Sequence, residues 1–402
     1  MSLGKILGVR AVSVVVTVLL CIGAEVLLKQ LIRDDYYLRL FFLAGVYVTL
    51  SVSLNLINGI TGQFSIGHAA FYMVGAYAAG LSSNALFAKQ PLDMPAYLVV
   101  STVIGAAAAA VAGLIVGLPS LRLKGDYLAV VTLGFGEILR ITMQNQEQWG
   151  GSYGYNLDNK YRSIALVFML AILCIAVCRN LLKSVHGLPF LAVREDEVAA
   201  QAMGINLTKT KVVAFVVGAA FAGAAGALFA HETQFINPDL FKMDVSFLIL
   251  TMVVLGGTGS ITGSTIAAVC LFMIPEMGRI AKFQVSQAML VSLLVVGIGA
   301  MVYAVRYVQN RVHLEKGPQA MAFAGAVFVP LTLATVVGKI LERFTILGDK
   351  VYESADIRLM ILAVVLLVVM LIRPTGLLGH HEFSWDGVRR LFKGRASHQE
   401  AA

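Results

Sequence analysis

The sequence predicts an all-α polytopic membrane protein of about ten to twelve transmembrane helices, some of them broken at glycines. Three observations carry that expectation. Of the 402 residues, 58% are hydrophobic and only 13% charged, about half the charged share of an ordinary soluble domain. Mean hydropathy is +0.81. Apolar residues also come in continuous runs of near-spanning length, without the alternation that a barrel strand would show. Because lipid offers the backbone no hydrogen-bond partner, such runs must be helices. Finally, Lys and Arg gather at the ends of the runs, where they mark topology. The formal charge of +8 therefore needs no nucleic acid to explain it, since that partner would call for a basic patch with exposed aromatics.

Taken in order, the first run covers 11–28 and follows Lys5 and Arg10. A secretory signal has the same order, but this run approaches spanning length and leads into further runs, so it reads as the first helix. The next runs lie at 38–57, 65–88, 95–117, 127–143, 163–182, 210–230, 245–257, 264–281, 287–307, 318–340 and 357–373. Glu137 and Arg140 weaken the fifth, and glycines end the eighth, which sets the range in the span count. With a cytoplasmic amino terminus and alternating spans, two basic segments fall inside the cell. One is 179–211, with Arg179, Lys183, Arg194, Lys209 and Lys211; the other is the tail after Arg373, with Arg389, Arg390, Lys393 and Arg395. Segments 144–160 and 231–244, carrying Glu147, Trp149, Asp158, Glu232 and Asp239, then face outward. The whole chain, 1–402, reads as one transmembrane domain. Its cysteines, Cys21, Cys174, Cys178 and Cys270, sit inside apolar runs without metal-type CxxC spacing and read as packing residues, although Cys174 and Cys178 share a helix face.

Two Gly-rich breaks occupy corresponding places in the two halves: GITGQFSIG at 59–67 and GGTGSITG at 256–263. Glycine allows a helix to unwind and a backbone to approach closely. Paired interruptions of this kind point to a transport site near mid-membrane, where freed helix ends meet a polar solute; close packing of small residues between helices is the competing explanation. The candidate pathway residues are Gly59, Thr61, Gly62, Gln63, Ser65, Gly67 and His68, with Gly256, Gly257 and Gly259 as the weaker counterpart. His68 is ionisable within a span and so a functional candidate, or else a hydrogen-bond partner of kinked backbone. Glu25 and Glu137 face a cavity or snorkel. Stretches 105–117 and 218–226, with Gly105, Gly113, Gly117, Gly218, Gly223 and Gly226, read as packing surfaces.

Between two spans lies LPFLAVREDEVAAQAMGIN, 188–206. Ala192, Val198, Ala199, Ala202 and Met203 recur at helical spacing, so the segment reads as one short amphipathic helix. Arg194, Glu195, Asp196 and Glu197 open it, acids suiting the positive end of the dipole, and Gly204 closes it. A helix of this kind can lie on the membrane surface, but anionic lipid heads repel its three acids. A groove on another protein suits it better.

Glu197, Ala199, Ala200 and Gly204 resemble the EAA loop through which permeases of ABC importers contact their ATPases. Together with NGITGQFSIGHAAFYMVGAYAA (58–79), LRLKGDYLAVVTLGFGEI (121–138) and RPTGLLG (373–379), REDEVAAQAMGIN is similar to the M-type permease of branched-chain amino-acid ABC importers. The resemblance covers most of 38–282 and returns at 356–379. It implies a homologous H-type permease beside this subunit, two ATPase subunits and a periplasmic or extracellular amino-acid-binding protein, all at a bacterial inner membrane. It also implies ATPase coupling by Arg194, Glu195, Asp196, Glu197, Ala199, Ala200 and Gly204. Residues 283–355, with two additional apolar runs, depart from the family's usual form, and 380–402 read as a basic cytoplasmic tail.

No nucleotide loop GxxxxGK[ST] exists in the chain; GTGS at 257–260 lacks the lysine and a preceding soluble strand. The chain is therefore expected to be no enzyme and to bind no cofactor or metal itself, with ATP and magnesium held by partner ATPases. The paired His380 and His381 sit in the basic tail and are expected to bind nothing. Membrane lipid is the remaining partner. The expected mechanism is alternating access driven from those partners. Two alternatives stand beside it: an ABC permease for urea or short amides, and an ion-coupled secondary transporter, which the scarcity of acids within spans argues against.

Overall fold

The structure is a computed structural model that describes residues 3–32, 34–87, 94–120, 125–157, 161–280, 284–286 and 351–353. The runs expected at 287–307, 318–340 and 357–373, the 373–379 motif and the 380–402 tail lie outside them. Each earlier run is a helix. In order they are α1 (Leu3–Leu31), α2 (Asp35–Asn55), α3 (His68–Ser82), α4 (Met94–Ser120), α5 (Asp126–Asn145) and α6 (Ile164–Lys183); α7 (Leu188–Glu195), α8 (Glu197–Ala202), α9 (Leu207–Thr233), α10 (Met243–Gly256) and α11 (Ile261–Ile280) follow. Four helices among the described residues are long and apolar enough to cross a membrane: Asp35–Ile60, Ala96–Pro119, Ile164–Lys183 and Leu207–Thr233. This is an all-α membrane architecture.

Chain contacts divide at Cys270. In the first unit α3, α4 and α9 form the centre, and their sequence explains how closely they meet. A Cβ added to Gly75 would lie 2.2 Å from the Gly223 Cα, one on Gly105 would lie 2.8 Å from the Gly75 oxygen, and one on Gly226 would lie 2.0 Å from the Tyr72 oxygen. Without a hydrophobic drive between helices in lipid, such backbone contact supplies the attraction. The glycines expected to pack do so. Burial then sorts the spans: the apolar window of α2 is 83% buried and that of α9 61%, against 28% for α4 and 33% for α6, so α4 and α6 keep a wide apolar face toward lipid.

Segments 144–160 and 231–244 are expected on one side, and the described residues of both meet there. Short strands β1 (Tyr155–Asn156) and β2 (Phe235–Ile236) pair antiparallel, Tyr155 opposite Ile236. Beside them an ion cluster joins helix ends. Arg162 donates from Nη1 and Nη2 to Asp35 at 2.6 and 3.0 Å and from Nε to Glu232 Oε2 at 2.5 Å. The Asp35 hydrogen bonds raise the Arg162 pKa above its already high value, with Glu232 adding to them. Glu25, expected to face a cavity or snorkel, instead caps α6, accepting from the Ala165 N–H at 2.9 Å and Ser163 Oγ at 3.1 Å, while Lys29 binds its other oxygen.

The Arg162 and Glu232 side chains are only 10% and 1% exposed. Arg162→Leu would leave a buried carboxylate unpaired, which costs about 3–5 kcal/mol. A clearly lower unfolding midpoint in detergent is the expected result. An unchanged midpoint would show that the cluster is solvated.

In the second unit, β3 (Gln284–Ser286) pairs antiparallel with β4 (Val351–Glu353). The two ends of the atypical 283–355 segment therefore lie side by side, so the segment leaves and returns at one place.

Candidate functional site

The first break begins where α2 widens into a π turn, Leu56–Ile60, a feature that often marks functional positions. Thr61 closes it by donating its N–H and hydroxyl to the Leu56 oxygen, at 3.2 and 2.8 Å. Gly62 then takes φ +73°, a conformation side chains resist, and the chain runs irregularly to Gly67, where α3 starts. Asn58 holds this loop shut, donating to the Ser65 oxygen at 3.0 Å and accepting from the Ser65 N–H at 3.2 Å.

The loop directs polar side chains into the protein. Gln63, Ser65 and His68 are buried, and among the described residues their Oε1, Nε2, Oγ and Nδ1 atoms have no hydrogen-bond partner. A buried unpaired polar group is costly, and four such atoms within six residues single out this loop. His68 bonds the Ser53 hydroxyl through Nε2 at 2.8 Å, so its partner is a side chain on α2 and not kinked backbone. Ala69 N–H donates to Ser246 Oγ of α10 at 3.1 Å. Glu137 lies against a void of ≈10 Å³ walled by Gly67, Ala69, Ala70 and Ser246, and it pairs with Arg140 at 2.8 Å. That void is the size of a single water probe, so α3, α5 and α10 are closed on one another.

The second break joins the first directly. Gly257 and Gly259 have φ +109° and +93°, which turns the chain from α10 into α11. Asn55, fully buried on α2, accepts from the Gly259 N–H at 2.9 Å and donates to the Ser260 oxygen at 3.0 Å. Gly59 sits so close that an added Cβ would be 2.2 Å from the Gly259 nitrogen. Gly256 makes the same kind of contact with Gly263, at 2.5 Å. Ile57 and Ser53 lie against Gly218, about 16 Å along α9 from Leu207, in a helix of about 40 Å. The meeting point thus lies close to the middle of α9.

Segment 188–206 is two helices and not the single one expected. Asp196 is the cause: at φ −157°, ψ 115° it leaves the helix and caps α8, its carboxylate accepting from the N–H groups of Val198 and Ala199, as N-cap aspartates do. Gly204, at φ +83°, ends α8 as expected. Three of the residues expected to face a partner turn inward. Arg194 donates to the Gly59 oxygen at 3.5 Å and packs under Gly62, Glu197 binds Lys211 of α9 at 2.5 Å, and Ala200 is buried. Glu195, Asp196, Ala199 and Gly204 are exposed. Val198 and Met203, expected on the apolar face of this segment, are 69% and 83% exposed, and Val185 and Leu188 stand out beside them. Sequence reasoning missed Asn55, Ser53 and Lys211. A lone Asn inside the apolar run 38–57 was the available signal for Asn55.

Residues 36–298 match the model of a family described as the permease component of branched-chain amino acid transport systems. The chain belongs to that family. The matched stretch opens at α2 and holds both breaks and the whole of α7 and α8. This permease is 34% identical to the high-affinity branched-chain amino acid transport system permease protein LivM of Salmonella typhimurium, over 58% of this chain and 61% of that one. It is 27% identical to a probable branched-chain amino acid transport permease protein LivM of Methanocaldococcus jannaschii, over 61% and 82%. To the LivH permease of Salmonella typhimurium it is also 27% identical, over 59% and 84%. The permease thus spans about three fifths of the length of the Salmonella LivM. Its M-type resemblance is upheld, both M-type and H-type permeases being its relatives. No solved structure matches it.

Proposed function

We propose that this chain is the M-type permease subunit of an ABC importer for branched-chain or related amino acids, working by alternating access. One observation supports it above the others: α7, which opens the connecting segment, is bonded to the first glycine break, which is itself bonded to the second. A push on α7 therefore reaches both breaks, and one on α8 reaches α9 through Glu197 and Lys211. In this reading Glu195, Asp196, Val198, Ala199, Met203 and Gly204 meet an ATPase subunit, and Arg194, Glu197 and Ala200 relay its closure inward. Gly59, Thr61, Gly62, Gln63, Ser65, Gly67 and His68, with Gly256, Gly257 and Gly259, form the gate of the solute route. A zwitterion is costly to strip of water unless polar groups replace it, and the unpaired atoms of Gln63, Ser65 and His68 suit that task.

The remaining parts follow from the same reading. An H-type permease completes the route, two ATPases hold ATP and magnesium, and an external binding protein delivers the solute at a bacterial inner membrane. This subunit spans the membrane about ten to twelve times, with 188–206 and 380–402 in the cytoplasm, and binds no cofactor. Liposomes holding this chain, an H-type permease and two ATPases, with binding protein inside or outside, are expected to take up labelled leucine only with ATP. The isolated chain is expected to release no phosphate from ATP. Hydrolysis by the pure chain, or proton-driven uptake by it alone, would replace this reading with a self-sufficient transporter.

A further inference from the structure

Segment 188–206 is tied to the spans at two places, and the second involves a buried charge that sequence reasoning passed over. Lys211 stands at the start of the second turn of α9 with its side chain 5% exposed, and Nζ donates to Glu197 Oε1 at 2.5 Å. Among the described residues it has no other polar side-chain partner. The position is unfavourable for an ammonium, since burial strips its water. Glu197 opens α8, where an acid is favoured. The buried lysine therefore depends on Glu197 for its partner. Such a pair adds little stability compared with apolar residues, yet it makes one docking geometry much better than its neighbours.

The other tie is Arg194 of α7 against Gly59 and Gly62. Asp196 lies between the two, out of helix, so α7 and α8 are two short pieces: α7 packs on both the break and α9, and α8 packs on α9. α9 in turn carries Gly218, Gly223 and Gly226, which touch α2, α4 and α3. Movement of α8 delivered to α9 would reach the centre of the bundle.

We propose that Lys211 is a positioning residue whose ion pair with Glu197 is the strut between α8 and α9, so that Glu197 acts inward on the permease and not outward on the ATPase. This rests on the importer reading above.

The test uses the full complex in liposomes and reads solute moved per ATP hydrolysed. Lys211→Met and Glu197→Gln are each expected to retain the ATPases and hydrolyse ATP while that ratio falls about tenfold, within the range of coupling energies. Lys211→Arg, and the exchange Glu197→Lys with Lys211→Glu, are expected to keep or regain most of the wild-type ratio. A purely structural role would lower protein level and leave the ratio alone. The proposal is overturned if both single variants keep the wild-type ratio, or if the exchange, present at wild-type level, recovers nothing. Should a single variant fail to insert, Lys211→Arg and the exchange decide: transport by both supports the strut, and loss in both rejects it. Failure of the importer reading looks different, because wild type itself would then show no ATP-dependent uptake.

Discussion

Gly223→Leu is expected to remove folded protein from the membrane. The site is a three-helix contact with no slack. A Cβ on Gly223 would lie 2.2 Å from the Ala109 Cβ and 2.5 Å from the Gly105 oxygen, while the Gly75 Cβ position points back at Gly223. Ordinary overpacking costs about 1–3 kcal/mol because neighbouring side chains shift. Here the obstacles include the backbone of Gly105 on α4, so α4 must move away from α9, and the close contact that holds them is lost. Even Gly223→Ala is expected to lower the unfolding midpoint. Gly134→Leu on α5 is the control: nothing lies within 4 Å of its Cβ position, and the variant is expected to insert and purify at wild-type level. Membrane level and monodispersity after detergent extraction measure both. Normal Gly223→Leu protein would mean that the helices are separated in the folded permease.

Much of this was legible in one dimension, for identifiable reasons. Apolar runs of near-spanning length have one solution in lipid, so α1 to α6 and α9 to α11 were set by hydrophobicity. Small residues repeated along 105–117 and 218–226 announced packing surfaces, because a span has little other use for them. The glycine breaks were legible as well, since glycine clusters interrupt a helix whatever surrounds it. The contacts between breaks were not. Asn55 and Gly259 lie 204 residues apart, and no local rule pairs a lone asparagine with a distant turn. Lys211 was hidden for the same reason: beside Lys209 it looked like one more topology marker at the start of a span. The division of 188–206 was partly legible. Asp196 is a good N-cap residue, but in the run Arg194, Glu195, Asp196 and Glu197 the dipole argument favoured a single helix, and only the Asp196 backbone angles decide for two.

The second large effect is expected at the first break, where substitution should stop transport without unfolding the bundle. Gly59 and Gly62 differ from Gly223 in what surrounds them. A Cβ on Gly59 would fall 1.9 Å from Asn55 Oδ1 and 2.2 Å from the Gly259 nitrogen, so Gly59→Ala drives the two breaks apart and takes Asn55 from its bond to Gly259. At Gly62 the φ of +73° alone costs a side chain about 1–2 kcal/mol, and the Cβ would press on Arg194 at 3.1–3.4 Å. Gly62→Leu therefore strains the loop and disturbs Arg194, which joins the break to α7, yet both are local losses in the loop after α2, away from the Gly75, Gly105 and Gly223 contacts. Uptake is expected to fall at least tenfold, the scale of an ordinary coupling energy, while the ATPases still co-purify. Gln63→Ala and His68→Ala should give graded losses, since each removes a polar group and blocks nothing. Single cysteines at 63 and 68 should react with a small polar reagent in one nucleotide state and resist it in the other, because Gln63 and His68 are buried in this closed arrangement. Normal uptake by Gly62→Leu, with cysteines unreactive in every state, would make the break a packing device. The solute route would then run along the interface with the second permease.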